Sequence, residues 1–160
     1  MAEPARRIDL LHTGPRFTAA EVKALNARFA DVPTIAMLRA VLREGLAGDV
    51  AAVSSFGAES AVLLHLIATI DRSVPVLFLD TGKHFPETLA YRDEIMGRLG
   101  MTNLVNLSPG PAALTASDAT GLRWSYDPDG CCEIRKVQPL AAALTHFDAS
   151  FTGRKGFQSA

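Results

Sequence analysis

The stretch that decides the fold is Asp49-Val-Ala-Ala-Val-Ser-Ser-Phe-Gly57, in which an apolar run leads directly into hydroxyls and a glycine. The next segment, Ala58 to Ile70, is apolar on most sides, as expected of a helix that packs against a sheet. A second candidate for a buried strand, Val74 to Leu79, has Pro75 near its start, where a proline is tolerated. A strand, a buried helix and another strand form a βαβ unit, which predicts a parallel sheet.

The same alternation of helices and strands continues along the chain. The predicted elements are a helix from Phe85 to about Gly100, a third strand from Asn103 to Leu107, a loop from Ser108 to Gly130 with one helical turn at Pro111–Thr115, a helix from Cys131 to Phe147, and a fourth strand from Asp148 to Thr152. Pro139 predicts a kink or a break in the last helix, because proline lacks the N–H that the helix needs.

Residues 1–47 precede this pattern and are predicted to form a helical lead-in. Thr18-Ala-Ala-Glu21 is a capping box that begins a helix through about Phe29, and Thr34 begins a second helix. No repeat or linker divides the chain. We therefore predict a single α/β domain over residues 1–160.

The composition excludes several classes of protein. With 160 residues, 48% of them hydrophobic, the chain is long enough for one compact domain. Its 16 Lys and Arg against 17 Asp and Glu give no electrostatic footprint of a nucleic-acid binder. No apolar run reaches the roughly 18 residues of a membrane span, and the N-terminus has no apolar signal core. We therefore expect a cytoplasmic protein without nucleic-acid or membrane partners.

Polar or glycine-containing segments follow all four predicted strands: Ser54-Ser-Phe-Gly57, Asp80-Thr-Gly82, Ser108-Pro-Gly110 and Thr152-Gly-Arg-Lys155. Ligands of open parallel sheets bind outside the carboxyl ends of the strands, so four such ends at one edge predict a single site. The first segment combines hydroxyls, a glycine and a helix start, which together form an anion cradle. A plain polar turn with serine as the N-cap is the equal alternative, because neither a P-loop nor a dinucleotide motif is present.

Cys131 and Cys132 are adjacent and are the two cysteines of the chain. Neighbouring Cα atoms lie about 3.8 Å apart, below the usual disulfide range of about 4.4–6.8 Å, so a structural disulfide is disfavoured. In a helix, Arg135 and Lys136 would lie one turn away, and cations there stabilise thiolates. Two buried, inert thiols are the alternative.

A zinc site or an iron–sulfur cluster needs four ligands. Either another segment supplies the rest, or two chains of a homo-oligomer share a metal, or no cluster forms.

Together these motifs resemble the assimilatory adenylyl-sulfate and phosphoadenylyl-sulfate reductases. The resemblance covers about residues 48–159 and rests on Ser54-Ser-Phe-Gly-Ala-Glu-Ser60, Leu79-Asp-Thr-Gly82 with Phe85-Pro-Glu-Thr88, Cys131-Cys132 with Arg135-Lys136, and Thr152-Gly-Arg-Lys155. It implies an α/β fold, a three-layer sandwich with a mainly parallel sheet of the adenine-nucleotide alpha-hydrolase-like (PP-loop) type. The cysteine pair is similar to that of the iron–sulfur branch, which uses adenylyl sulfate.

The resemblance also implies roles for individual residues. The nucleotide would be cradled by Ser54, Ser55, Gly57 and Ser60, and its adenosine side would be lined by Thr81 and Gly82. Arg154 and Lys155 would bind substrate, with Lys155 facing the phosphosulfate. Cys131 and Cys132 would be two of the four ligands of a four-iron four-sulfur cluster, and Lys136 would lie between that cluster and the sulfate.

The reaction that the resemblance implies uses thiol chemistry in sulfate assimilation. A cysteine thiolate attacks the sulfonyl sulfur and releases AMP (or adenosine bisphosphate), and thioredoxin or a glutaredoxin-like dithiol then releases sulfite from the S-sulfonated cysteine. The family's Cys-x-x-Cys pair and its nucleophile in Glu-Cys-Gly do not occur in these 160 residues. We therefore expect the N-terminal portion of such a reductase, with no catalytic residue in this chain and nucleotide binding without turnover. The alternatives are a non-catalytic binding or assembly module of the same fold and an ATP pyrophosphatase-type adenylating enzyme.

Overall fold

The computed structural model describes residues 17–153, and within them four strands form one sheet whose pairs are all parallel. The strands are β1 (Val50–Val53), β2 (Val76–Leu79), β3 (Leu104–Leu107) and β4 (Ala149–Thr152), in the spatial order β3-β2-β1-β4. One row across the sheet pairs Phe151 with Ala52, Ala52 with Val76, and Val76 with Leu104. The parallel sheet predicted from the βαβ pattern is confirmed.

The described part of the chain also contains seven α-helices. They are α1 (Ala19–Phe29), α2 (Thr34–Arg43), α3 (Ala58–Ala68), α4 (Pro86–Leu99), α5 (Pro111–Ser117), α6 (Pro128–Cys132) and α7 (Gln138–Leu144). A 3-10 turn at Arg123–Ser125 precedes α6, and a π-helical turn at Glu133–Val137 joins α6 to α7.

The chain divides into two compact units between Pro33 and Thr34. In the first unit, α1 has the predicted capping box: the Glu21 N–H donates to the Thr18 hydroxyl, and the Thr18 N–H donates to the Glu21 carboxylate. The second unit contains α2 and the whole sheet. This division falls inside the predicted lead-in of residues 1–47, and the extent of the nucleotide-binding domain stays a prediction.

Helices cover both faces of the sheet. On one face, buried side chains from β1 and β2 pack with those of three helices; they include Ala52, Val76, Phe78, Leu38, Leu64, Ile67 and Met96. Because side chains alternate along a strand, Leu77 points to the other face, where it lines a groove with Pro139 and Ala143 of α7. The sheet therefore lies between two helical layers, as expected of a three-layer α/β sandwich.

The helical segment that carries the cysteines differs from its prediction. It begins at Pro128 and not at Cys131, because Asp127 caps it by accepting the Gly130 N–H at 2.9 Å. The irregularity expected at Pro139 is the π-helical turn just before that residue. Proline has no N–H, and a wider turn at this point accommodates the missing hydrogen bond. Helix α5 is also longer than the single turn predicted for it.

The connections between strands determine where a ligand can enter. From β1 the chain passes to β2 and then to β3 on one side, and it returns to β4 on the other side of β1. The strand order therefore reverses between β1 and β4. In open parallel sheets a crevice forms outside the carboxyl ends at this point.

Candidate functional site

A cavity of about 540 Å³ lies at the reversal point between β1 and β4. Its lining comes from the β1–α3 turn, the first turn of α3, the end of β4 and α7: Val53, Ser55, Gly57, Ala58, Glu59, Ser60, Leu140, Thr152 and Gly153. Three of the four residues predicted to cradle a nucleotide, Ser55, Gly57 and Ser60, therefore lie on one wall. We call this cavity the β1–β4 crevice.

The fourth residue of that set, Ser54, lies beneath the wall. Its side chain is buried, and its hydroxyl accepts the N–H of Phe56 at 3.0 Å. Phe56 has a φ of +57°, in the left-handed region that bulky residues rarely adopt. The residue is only 3% exposed, and its ring packs in the core. Ser54 thus shapes the turn from inside and does not line the crevice.

The start of α3 places hydrogen-bond donors and partial positive charge at the β1–β4 crevice. Gly57 is the N-cap of α3 and supplies no side-chain cap. The first N–H groups of a helix have no intrahelical partners, and the helix dipole places partial positive charge there. The Ser60 hydroxyl adds a donor close to β4, since a Cβ on Gly153 would lie 3.7 Å from Ser60 Oγ. Hydroxyls and a helix N-terminus together are suited to phosphate.

A second cavity, of about 750 Å³, lies beyond the end of β2. Its lining combines thiols, cations and aromatic rings: Thr81, Lys83, His84, Phe85, Trp124, Pro128, Cys131, Cys132, Arg135 and Lys136. Cys131 is buried and Cys132 is exposed, and neither forms a disulfide. The structure thus brings Thr81, the cysteine pair and Lys136 to one space, which we call the thiol cavity.

Arg135 lines the thiol cavity beside the cysteines, and its guanidinium is bound by a carboxylate and a carbonyl oxygen. Its buried guanidinium donates to the carboxylate of Asp118, from Nη2 at 2.6 Å and from Nε at 3.2 Å. Nη1 donates to the carbonyl oxygen of Thr81 at 2.7 Å. Asp118 therefore compensates its charge, whereas Lys136 is exposed on the wall of the thiol cavity.

Sequence reasoning missed Asp118, which is also buried. Its carboxylate accepts the hydrogen bonds of Arg135 and the backbone N–H of Arg123 at 2.9 Å. These hydrogen bonds, with that of Arg135 first, hold the pKa of Asp118 below its ordinary value. No local motif marks the residue, because its partner lies on a distant segment of the chain.

A second pair supports the start of α6. The Arg123 guanidinium donates to one oxygen of Asp127 from Nε at 2.9 Å and from Nη2 at 2.7 Å, and the other oxygen accepts the Gly130 N–H. The Gly130 N–H and then the Arg123 side chain lower the pKa of Asp127. This pair also falls in the segment predicted as a loop.

The turn after β2 is held by its own polar groups. Gly82 has a φ of +67°, which favours glycine, and its N–H donates to the Asp80 carboxylate. The Lys83 ammonium donates to the Gly121 carbonyl at 2.7 Å. His84 pairs through Nε2 with the Leu79 carbonyl at 2.8 Å. Gly82 thus forms the turn beside the thiol cavity.

The prediction that all four strand ends meet in one site is wrong. Residues at the ends of β1 and β4 line the β1–β4 crevice, and residues that follow β2 line the thiol cavity. Ser108, which follows β3, lines the apolar groove under α7 and neither of those two cavities. Arg154 and Lys155, predicted to bind substrate, lie outside the described residues.

The cysteine pair does not fit a four-iron four-sulfur cluster on its own. Such a cluster takes four thiolates, and residues 17–153 supply two. Over the same residues, no group of three or more His, Cys, Asp or Glu side chains is placed to hold a metal ion. Nor does any helix described here have the length and apolar character needed to span a membrane.

Comparison with known proteins points to one family. The model of the phosphoadenosine phosphosulfate reductase domain matches residues 49–160. The chain is 46% identical over 159 residues to the adenosine 5'-phosphosulfate reductase of Mesorhizobium japonicum, covering 99% of this chain and 62% of the relative. It is 48% identical over 148 residues to the protein of that name from a Chelativorans species, covering 91% of this chain and 60% of the relative. The chain thus spans about three fifths of the length of these relatives.

A solved structure provides a comparison of the fold. The phosphate complex of phosphoadenylyl-sulfate (PAPS) reductase from Candida auris is similar to this chain with a TM-score of 0.66 at 21% identity. The match covers 88% of this chain and 70% of that one. The predicted fold class is therefore confirmed.

Proposed function

The chain belongs to the phosphoadenosine phosphosulfate reductase domain family, and from that premise we propose that it binds adenylyl sulfate as the nucleotide-binding part of a reductase of sulfate assimilation. Such a reductase converts the activated sulfate to sulfite and AMP. The observation that carries the proposal is the β1–β4 crevice, in which hydroxyls and the start of α3 surround about 540 Å³.

The anionic part of the nucleotide matches the donors of the β1–β4 crevice. Phosphate oxygens accept hydrogen bonds, and Ser55, Ser60 and the first N–H groups of α3 are donors. Arg154 and Lys155 follow Gly153 in the sequence, and we assign them to the same anion because their charges complement it. Ser54 contributes indirectly by fixing the turn.

The thiol cavity is assigned to the rest of the substrate. Thr81 and Gly82 are assigned to the adenosine side, and Lys136 to the sulfate. An exposed ammonium beside two thiols supplies positive charge where a sulfate would approach. We propose adenylyl sulfate as the substrate in preference to phosphoadenylyl sulfate. Both relatives above are named reductases of adenosine 5'-phosphosulfate, which is another name for adenylyl sulfate.

These 160 residues are proposed to bind the nucleotide without releasing sulfite. Both cysteines of the sequence belong to the Cys131-Cys132 pair, which leaves no third thiol in them for attack on the sulfonyl sulfur. The complete reaction would use thioredoxin or a glutaredoxin-like dithiol as electron donor in the cytoplasm. The two cysteines would contribute to a cluster when other ligands complete it.

Calorimetric titration of the purified chain with adenylyl sulfate, phosphoadenylyl sulfate and AMP tests the proposal. Ser55→Ala and Ser60→Ala should each weaken adenylyl sulfate binding by roughly 10- to 100-fold, the effect of one lost hydrogen bond to a charged group. Ser73→Ala is the matched control, because Ser73 lies before the amino-terminal end of β2, whereas the crevice lies at the carboxyl ends of the strands.

Two results would contradict parts of the proposal. Absence of binding at millimolar adenylyl sulfate would overturn it and favour a non-catalytic assembly module. Release of sulfite from adenylyl sulfate and reduced thioredoxin by this chain would overturn the absence of turnover and leave the binding assignment intact.

A further inference from the structure

We infer that Asp118 is a positioning residue, which acts through Arg135 to hold the cysteine-bearing helix against the turn after β2. This inference deepens the proposed function, and it rests on that function where it concerns substrate affinity. Asp118 does not line the thiol cavity. It therefore affects that cavity only through the residues that it binds.

Three segments of the chain meet at the Asp118–Arg135 pair. Arg135 follows the cysteines in the π-helical turn, and Asp118 follows α5. The third segment is the turn after β2, whose Thr81 carbonyl accepts Nη1 of Arg135 at 2.7 Å. One guanidinium thus joins two walls of the thiol cavity, and Asp118 fixes its orientation.

Because the Asp118–Arg135 pair is buried, the link from Arg135 to Thr81 should be sensitive to loss of the carboxylate charge. The Arg135 side chain is 7% exposed and that of Asp118 is fully buried. An arginine left buried without its counter-ion is strongly unfavourable, so its guanidinium would move toward solvent. Arg135 also lies one turn after Cys131, which is buried in the same wall. Movement of Arg135 should therefore expose the Cys131 thiol.

Other charged groups next to Asp118 do not replace Arg135. Lys83 lies close enough to act on the carboxylate, but its ammonium donates to the Gly121 carbonyl. Arg123 contributes its backbone N–H to Asp118 and directs its side chain to Asp127. The link between the cysteine helix and Thr81 thus passes through Arg135.

The test measures the alkylation rate of each cysteine by mass spectrometry in folded protein. In the unsubstituted chain, Cys132 should react quickly and Cys131 slowly. Asp118→Asn should raise the Cys131 rate about tenfold or more and leave the Cys132 rate within about twofold. Asp118→Glu, which keeps the charge, should restore slow reaction. Asp93→Asn, which breaks the Arg92 ion pair on α4, is the control and should change neither rate.

A purely structural role is distinguished by repeating the measurement at low, sub-denaturing urea. Exposure of Cys131 by global unfolding would accelerate with urea, whereas local release of the helix would not. An unchanged Cys131 rate in Asp118→Asn, or a rise that follows global unfolding, overturns the inference. If Asp118→Asn does not fold, Arg135→Lys decides the question by the same measurement, because lysine cannot bind Asp118 and Thr81 together.

Affinity for adenylyl sulfate provides the second readout, and Asp118→Asn should weaken it several-fold. If the unsubstituted chain does not bind the nucleotide, the proposed function fails. The alkylation rates still decide the role of Asp118, because they are measured without ligand.

Discussion

The ring of Phe56 meets that of Phe78 edge to face, with centroids 5.6 Å apart and planes at 73°. Phe56 belongs to the turn that shapes the β1–β4 crevice, and Phe78 is a buried residue of β2. The backbone of Phe56 is left-handed at a φ of +57°, which is costly for an aromatic residue. Burial of its ring offsets that cost, so the shape of the crevice depends on packing in the core.

Phe56→Ala should therefore lower the free energy of unfolding by roughly 3–5 kcal/mol and weaken adenylyl sulfate binding. The loss comes from the missing ring and from the turn that the ring anchors. Urea unfolding and calorimetry measure the two effects. Phe85→Ala is the matched control for the stability measurement alone, because Phe85 lines the thiol cavity but is 76% exposed, so its removal should change the free energy of unfolding by less than about 0.5 kcal/mol. Equal stability losses in the two variants would contradict the anchoring role.

Gly130→Ala tests the ion pair at the start of α6. A Cβ at this position would overlap the guanidinium of Arg123 and the carboxylate of Asp127, so the pair would have to separate. We expect the free energy of unfolding, measured by thermal unfolding, to fall by about 1–3 kcal/mol. Gly97→Ala in α4 is the control, because a Cβ at Gly97 would have no neighbouring atom within 4 Å. This variant should stabilise the chain by roughly 0.5–1 kcal/mol. A stabilising effect at both positions would show that the pair tolerates a methyl group.

The features that could be predicted from the sequence have local causes. The capping box of Thr18, the proline at the start of α4 and the left-handed Gly100 at its end all act within one turn of the helix that they bound. The apolar runs around the β1–α3 turn likewise predict strand and helix from neighbouring residues.

The features that could not be predicted depend on distant partners. Residues 108–130 contain many turn-forming residues and indicate a loop with one helical turn, yet that turn extends to Ser117 and two carboxylates of the segment are held by arginines. Asp118 becomes important only because folding places Arg135 beside it. The positive φ of Phe56 has no local signal either, since glycine is the residue usually associated with that conformation.

The stability of the chain should fall in acid partly because Asp127 becomes protonated. The Gly130 N–H and the Arg123 side chain lower the pKa of this carboxyl in the folded state. Its contribution is therefore complete above the unfolded pKa of about 3.9 and is lost as the pH falls through the lower, folded pKa. The difference in urea midpoint between the unsubstituted chain and Asp127→Asn should shrink as the pH falls below about 4. If the difference in urea midpoint stays constant from neutral pH into this range, Asp127→Asn destabilises the chain through its geometry and not through the loss of charge.

The purified 160-residue chain should contain no stable iron–sulfur cluster as a monomer. Cys131 and Cys132 provide two thiolates, whereas the cluster takes four. Anaerobic preparation followed by iron analysis, visible absorption and sedimentation tests this expectation, with Cys132→Ser as the matched control. We expect both proteins to be colourless and free of iron. About four irons per dimer, lost in Cys132→Ser, would contradict the expectation and show that two copies complete the site by joining their cysteine pairs.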